Sequence, residues 1–410
     1  MALGRTVHHA ARIPRGTCKL FGAIKALSTI QRSVVLVHGP KGCVYHINYI
    51  LGMRGDRPSE IYTTGLDEHD VIFGAEQKLK EAITDLDQSL CPDLLFVLSC
   101  CTSSIIGEDV ESAARETTTN SRVIAISAGG FEGDFHDGYS ETLRQLAEQL
   151  AQKTGRIRPR SVNLVGMLRA GPDLAELRHL LDLIGVKVNA VLTADATRED
   201  LERLGEAALN IVLCEPSGKE AAEFLRNVCG TPYIIEEFPI GHQPTIRFLL
   251  RIAENLGIPV PVSLPENGGR TGDAVSLQHR RIAIISGPTR AVSMTRFLAE
   301  YSVIPRLVVV DFAGCVKEKL ESLVSPRGEV LIEPGHELIV QKLKEHAIDL
   351  LIGGMLEQPV AKSLGIRHID MMHGSQKTVG SAGAQNLLRL CCGKEQPGSV
   401  TDNAGHECPL

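Results

Sequence analysis

Four side chains of soft or borderline donor character stand at the ends of apolar runs. Cys43 follows "VVLVHGPKG", Cys101 closes "LLFVLSCC", Cys214 closes "NIVLC" and His373 follows "RHIDMM". Thiolate sulfur and imidazole nitrogen are the protein ligands of choice for zinc, iron and iron–sulfur clusters. The first stretch alone leaves Cys43 as a nucleophile, a metal ligand or a structural thiol. Four such groups, each at a strand end, read together as a metal or cluster protein. The competing account is bland: buried cysteines are ordinary small apolar residues, and a histidine at a strand end is usually structural. The sequence holds eleven cysteines, an odd number, with no C-x-x-C spacing, so neither a disulfide framework nor a zinc finger fits. Iron–sulfur clusters can be held by thiolates far apart in sequence, each on its own strand end.

Such groups need strands to deliver them, and the chain alternates strand and helix patterns throughout. "SVVLVHG", "LLFVLSC" and "RVIAISAGG" are short apolar runs rich in β-branched residues, separated by helical stretches such as "FGAEQKLKEAITDL". A second set is "SVNLVGML", "KVNAVL", "LNIVLC" and "PYIIEE". A Pro/Gly-rich passage over 257–273 reads as a linker, and a third set follows: "RIAIISGP", "PRLVVVDFAG", "EVLIEPG", "DLLIGG" and "RHIDMM". The fold expected is α/β, three Rossmann-like lobes with parallel sheets over 1–155, 156–265 and 266–390, then an irregular tail over 391–410. In open α/β sheets the chemistry gathers at the carboxyl ends of the strands, where these donors lie.

Composition excludes several function classes. The chain has 410 residues, 43% apolar and 22% charged, with a net charge of −6. Basic residues neither predominate nor cluster, and aromatics are only 4%, so neither a phosphate-binding face nor a base-stacking platform for nucleic acid is expected. No apolar run has membrane-helix length, and the N-terminal stretch has no signal-peptide core, so a cytoplasmic protein is expected. No Walker A motif is present, so any ATP hydrolysis belongs to a partner.

"HGPKGC" (38–43), "TTGLDEHDVIFGAEQKLKEAI" (63–83), "SCCTSSIIGEDVE" (99–111) and "GGFEGD" (129–134) follow one another in the order and spacing of the nitrogenase component 1 superfamily. The similarity continues through 209–249 to "KSLGIRHIDMMHGSQ" (362–376), so the chain resembles that superfamily over roughly residues 10–390, and within it the α-type chain. The resemblance implies roles. Cys18, Cys43 and Cys101 match the three thiolates that hold half of an iron–sulfur cluster at the subunit interface, either a 4Fe–4S cluster or a P-cluster-like 8Fe one. Cys100 is then the neighbour without a role. Cys214 and His373 match the two residues that pin the ends of a large iron–sulfur cofactor. The partners implied are a β-like paralogous subunit in a heterotetramer, or a second copy in a homodimer, and a NifH-like ATP-dependent reductase.

Departures from the family pattern bear on the substrate. The helix after "GPKGC" lacks the arginine of true nitrogenases, His136 and Ser140 stand where the family has cofactor-facing Gln and His, and Glu357 falls near the lysine that holds homocitrate. A carboxylate there repels a polyanion, so a cofactor without homocitrate is expected. The resemblance thus implies an enzyme: the catalytic subunit of a nitrogenase-like reductase cleaving C–S bonds of methylthio-alkanes, with His136, His46 and Glu357 as candidate proton donors or substrate contacts. Two alternatives are a tetrapyrrole reductase of the nickel-sirohydrochlorin diamide cyclase type and a scaffold for cofactor assembly.

Overall fold

The computed structural model describes residues 17–53, 60–167, 171–259, 277–312, 316–371 and 376–393. They form two compact units: one contains residues up to 170 with 185–236, the other contains 171–184 with 237 onward. Among the described residues every pairing between strands is parallel. Among the described residues no helix is long and apolar enough to cross a membrane.

The first unit holds two four-stranded sheets. One runs β2 (Ile61–Thr63), β1 (Ser33–His38), β3 (Leu94–Ser99), β4 (Arg122–Ile126); the other runs β6 (Lys187–Thr193), β5 (Arg158–Met167), β7 (Ala207–Val212), β8 (Tyr233–Ile235). The unbroken apolar runs are explained by burial on both faces. Along β1 and β3, Val35, Val37, Leu94, Phe96 and Leu98 face a core shared with the helices Lys19–Leu27 (α1), Phe135–Leu150 and Glu215–Cys229. Their alternates Val34, Leu36, Leu95 and Val97 face a second core with Leu79, Ile83, Val110 and Ala113. Each such side chain contributes roughly 1.5–3 kcal/mol on leaving water. β2 has no apolar signature, because its three residues are only half-buried.

Close packing of α1 on the helix Phe135–Leu150 depends on two glycines. A Cβ on Gly22 would overlap the Phe135 carbonyl oxygen, and one on Gly138 would overlap the Lys19 carbonyl oxygen. The helix axes can approach only because both positions lack side chains.

The second unit holds a five-stranded sheet ordered β11 (Glu329–Ile332), β10 (Leu307–Val310), β9 (Ile282–Ser286), β12 (Leu350–Gly353), β13 (Arg367–Asp370). Its core collects Ala283, Ile285, Leu307, Val309, Leu351 and Ile339. Buried Asp173 ties this unit together: it accepts Thr378 N–H (2.7 Å), Val379 N–H (3.1 Å), the Thr378 hydroxyl (2.7 Å) and Arg290 Nη2 (3.1 Å). Cys391 and Cys392, expected to open the irregular tail, instead close the helix Gly380–Cys392, which ends where Gly393 turns left-handed at φ +84°. Residues 394–410 and most of the expected linker, its residues 260–273, lie outside the described residues.

Candidate iron–sulfur site

Three cysteines of the first unit, Cys43, Cys101 and Cys214, are delivered by one device repeated, and Cys18 shares with them only its helix N-terminus. A parallel strand ends, the chain turns, and a helix begins with the thiol at or beside its N-terminus. Cys18 is the N-cap of α1, Cys43 lies in the first turn of α2 (Lys41–Met53), Cys101 opens the helix Cys101–Ile105, and Cys214 is the N-cap of the helix Glu215–Cys229. Neither Cys18 nor Cys214 spends its side chain on capping. Helix N-termini carry partial positive charge that favours a thiolate.

Cys18 is fixed by contacts distant in sequence. It forms an antiparallel bridge with Asp134, with Lys19 N–H donating to Gly133 O (3.2 Å) and Phe135 N–H to Thr17 O (2.8 Å). Buried Lys19 reinforces the clamp through Glu132 (2.9 Å) and Glu141 (2.8 Å). Burial lowers the affinity of that amine for its proton, but the hydrogen bonds to both carboxylates outweigh it, and its pKa is raised.

The turn bearing Cys43 is held by its edge neighbour. Thr64 Oγ1 accepts Gly39 N–H at 3.2 Å and lies 3.1 Å from His38 Nδ1, while the Thr63 hydroxyl donates to Gly39 O at 2.6 Å. His38 is fully buried, with Nε2 3.7 Å from Glu108. The short, half-buried strand β2 and the residue after it therefore orient the peptide that leads into Cys43.

Gly130 sits between Cys18 and Cys101. Its N–H donates to Cys101 Sγ at 3.1 Å, and a Cβ built on it would lie 2.9 Å from Cys101 Sγ and 3.2 Å from Cys18 Cβ. Cys43 pairs with Cys100, and its electrostatic neighbours include Cys101 and Cys18. Hydrogen bonding to Cys100 and burial push the Cys43 thiol upward, while the same bond, helped by the N–H groups of Ser103 and Thr102, pulls Cys100 down to about 5 against the effect of burial. Cys100 itself is fully buried in the core.

These features fit an iron–sulfur cluster. Among the described residues no three His, Cys, Asp or Glu side chains converge to hold a single metal ion, whereas a cluster needs a separate thiolate for each iron and N–H donors to its sulfurs. Cys18, Cys101 and Cys43 are exposed or half-exposed, so a cluster on them would meet solvent or a partner. Large apolar side chains are exposed close to these cysteines in sequence: Tyr45 and Tyr49 on α2 with Cys43, Ile105 at the end of the helix that Cys101 opens, and Phe131 after Gly130. Sequence reasoning named neither Gly130 nor these side chains. The Gly129–Gly130 pair was the available signal for the first.

Cys214 is nearly buried, its sulfur 3.3 Å from Ser217 Oγ. Gly166, at φ +80°, makes room: a Cβ there would stand 3.2 Å from Cys214 Cβ. The Ser140 hydroxyl donates to Pro216 O at 3.3 Å, which brings the helix carrying His136 against the turn after Cys214. His136 is half-buried; burial lowers its pKa, and Asp134, Asp137 and Glu220 oppose the shift. His46 is exposed on α2. Glu357 is buried after β12, where its carboxylate accepts Gly354 N–H at 2.8 Å and caps that turn. His373 lies outside the described residues.

Comparison with known proteins places these features in a family. The family model for "Nitrogenase component 1 type Oxidoreductase" matches residues 18–393. The chain is 28% identical over 407 residues to the nitrogenase iron-molybdenum cofactor biosynthesis protein NifE of Clostridium pasteurianum, covering 94% of this chain and 88% of that one. It is 26% identical over 404 residues to the nitrogenase molybdenum-iron protein beta chain of Methanococcus maripaludis, covering 86% of each. The fold matches the solved structure "Nitrogenase Cp1 at pH 6.5" with a TM-score of 0.82 at 20% identity, over 94% of this chain and 93% of that one.

Proposed function

The chain belongs to the nitrogenase component 1 type oxidoreductases, and we propose that within them it is the cluster-bearing α-like subunit of a nitrogenase-like reductase. The observation that carries this reading is the meeting of Cys18 and Cys101 about Gly130, with Cys43 among their electrostatic neighbours. Cys18, Cys43 and Cys101 would hold one half of a 4Fe–4S or 8Fe cluster, and a β-like subunit, or a second copy, would supply the rest and cover the exposed thiols. When bound, the cluster supplies low-potential one-electron transfer from an ATP-dependent reductase. Gly130 N–H would donate to a cluster thiolate, and α2 with its neighbours would exclude water from it.

Cys214, with His373, would anchor a larger iron–sulfur cofactor in the same chain. Gly166 and Ser217 support this by leaving the Cys214 sulfur room and a hydroxyl contact. Glu357, an acid in a turn at a strand end, favours a cofactor without homocitrate. His136, beside the Cys214 turn, is the foremost proton donor; His46 and Glu357 are placed further down. The substrate class proposed is the methylthio-alkane, reduced to a thiol and a hydrocarbon.

A second reading has its own support: similarity to NifE, a protein named for cofactor biosynthesis, favours a scaffold that matures a cluster and passes it on. Anaerobic purification of the complex, with iron and acid-labile sulfide counted in wild type, Cys43→Ser and Cys214→Ala, tests both readings. Wild type without iron overturns them together. Iron lost from each variant, with thioether turnover, supports the reductase; the same losses with transfer of the cluster to an acceptor and no turnover support the scaffold.

A further inference from the structure

His38 closes β1 fully buried, and its two ring nitrogens meet different elements. Nδ1 lies 3.1 Å from Thr64 Oγ1, the oxygen that accepts Gly39 N–H at 3.2 Å. Nε2 has no hydrogen-bond partner among the described residues, and a carboxylate oxygen of Glu108 stands 3.7 Å from it. Glu108 is fixed in its turn. Its carboxylate accepts Ala75 N–H at 2.6 Å, and its own N–H donates to Ser103 O at 3.0 Å, in the helix that Cys101 opens. Gly39 is held on its carbonyl as well, by the Thr63 hydroxyl (2.6 Å) and Leu66 N–H (3.1 Å), and a Cβ on it would stand 2.5 Å from Cys100 Sγ. Cys43 N–H then closes the turn on Pro40 O at 3.3 Å. One series of contacts thus runs from the Cys101 helix through Glu108, His38 and Thr64 to the turn that carries Cys43.

We propose that His38 is a positioning residue for Cys43, holding the Gly39 turn through Thr64, and that Glu108 sets which ring nitrogen bears the proton. A neutral imidazole has one N–H and one bare nitrogen, and its neighbours choose between them. A bare Nε2 would aim its lone pair at the Glu108 carboxylate, whereas Nε2–H presents the positive end of its dipole. The proton therefore rests on Nε2, and bare Nδ1 accepts the Thr64 hydroxyl. With that hydrogen committed, the Thr64 oxygen turns a lone pair to Gly39 N–H. Donation runs in one direction, from Gly39 to Thr64 to His38, and on toward Glu108. The other charges that act on the ring are Asp70 and Lys78, which pair with each other at 2.6 Å and largely cancel, so Glu108 decides. Burial lowers the His38 pKa against the pull of Glu108 and Asp70, and the ring is neutral at neutral pH. That the turn is held for a cluster rests on the proposed function; the order of donors does not.

The test records ring-nitrogen magnetic resonance of the full-length reduced chain, labelled at histidine and freed of iron by chelation, at neutral pH. The His38 signals are those that vanish in His38→Asn and shift in Glu108→Gln, so one misfolded variant does not shelter the proposal. The expected wild-type spectrum has the proton on Nε2 and a bare Nδ1, and Glu108→Gln should raise the share of the Nδ1–H form. A wild-type proton on Nδ1 overturns the proposal. Amide hydrogen exchange at Gly39 is the second readout. Thr64→Val and His38→Leu should each speed it about 2–10-fold, the worth of one hydrogen bond, and the double variant should be little faster than either. His38→Asn, whose side-chain oxygen can take the place of Nδ1, should recover most of the protection lost in His38→Leu. Unchanged exchange in Thr64→Val and His38→Leu, or no recovery in His38→Asn, overturns it too. Neither readout involves iron, so failure here leaves the cluster reading standing, and a chain that binds no iron leaves these outcomes as decisive as before.

Discussion

Gly130 donates its backbone N–H to Cys101 Sγ at 3.1 Å while its Cα faces Cys18, so one residue without a side chain separates two thiols from different parts of the chain. A methyl group there would press on both. Gly130→Ala should therefore lose most of its iron and acid-labile sulfide while costing about 1–3 kcal/mol in stability, the usual range for overpacking. Metal analysis beside a circular-dichroism melt checks this. Full iron retention would remove Gly130 from the site.

Cys100 and Cys101 are adjacent in sequence but occupy different environments, one fully buried and the other half-exposed beside Gly130. Only the second can reach a cluster shared with a partner. Cys101→Ser should lose the cluster signal in electron paramagnetic resonance, and Cys100→Ser should keep it. The reverse pattern would exchange their roles.

The α1 helix approaches the helix Phe135–Leu150 through Gly22 and Gly138, and Cys18 is carried on that contact. Gly22→Ala would drive its methyl into the Phe135 carbonyl and to 2.8 Å from Tyr139 N. A loss of at least about 1–3 kcal/mol is expected, about 2–4 °C in melting temperature per kcal/mol for a domain of roughly 150–250 residues. Iron content should fall with it, because Cys18 moves with the helix. A variant that melts like wild type and keeps its iron would show that the packing tolerates a side chain.

Much of the framework was legible because a strand buried on both faces leaves an unbroken apolar run. "LLFVLS" could only be interior, and it became β3 with alternate residues in two cores. β2 escaped notice for the opposite reason: three half-buried edge residues leave no run, although Thr63 and the following Thr64 hold the Gly39 peptide. Chemistry at strand ends was legible as residue types, not as neighbours. The placement of Cys18 depends on a bridge to Asp134 and on two glycines more than a hundred residues apart, which no local pattern encodes. The approach of Gly39 to the Cys100 thiol follows from the register of β1 on β3, and register appears only once the sheet is assembled.

Asp173 holds four donors from two distant segments of the second unit, including Arg290, whose guanidinium also lies 4.9 Å over the Phe238 ring. Asp173→Ala leaves that cation and two N–H groups without their acceptor. A loss of roughly 1–3 kcal/mol is expected, the cost of leaving buried donors without their acceptor. Asp173→Asn, which keeps one acceptor oxygen, should lose less. Urea unfolding followed by circular dichroism measures both, and equal stability of wild type and Asp173→Ala would refute the anchoring role.

Asp87 gives a pH dependence whose sign is fixed by its surroundings. It is buried, which pushes its carboxyl up, but the Ser121 hydroxyl and the N–H groups of Asn120 (2.9 Å) and Ser121 (2.8 Å) all donate to it, and together they hold its pKa below the ordinary value. A depressed folded pKa contributes stability that is fully present above the unfolded value, about 3.9, and is lost as pH falls through the folded value. Asp87→Asn should therefore cost about 1–3 kcal/mol at neutral pH, the range for a buried hydrogen-bond partner removed. The gap to wild type should narrow as the solution is acidified below about pH 4. Paired urea titrations at neutral and acid pH test it, and a gap that stays constant or widens on acidification would mean that the Asp87 charge does not stabilise the fold.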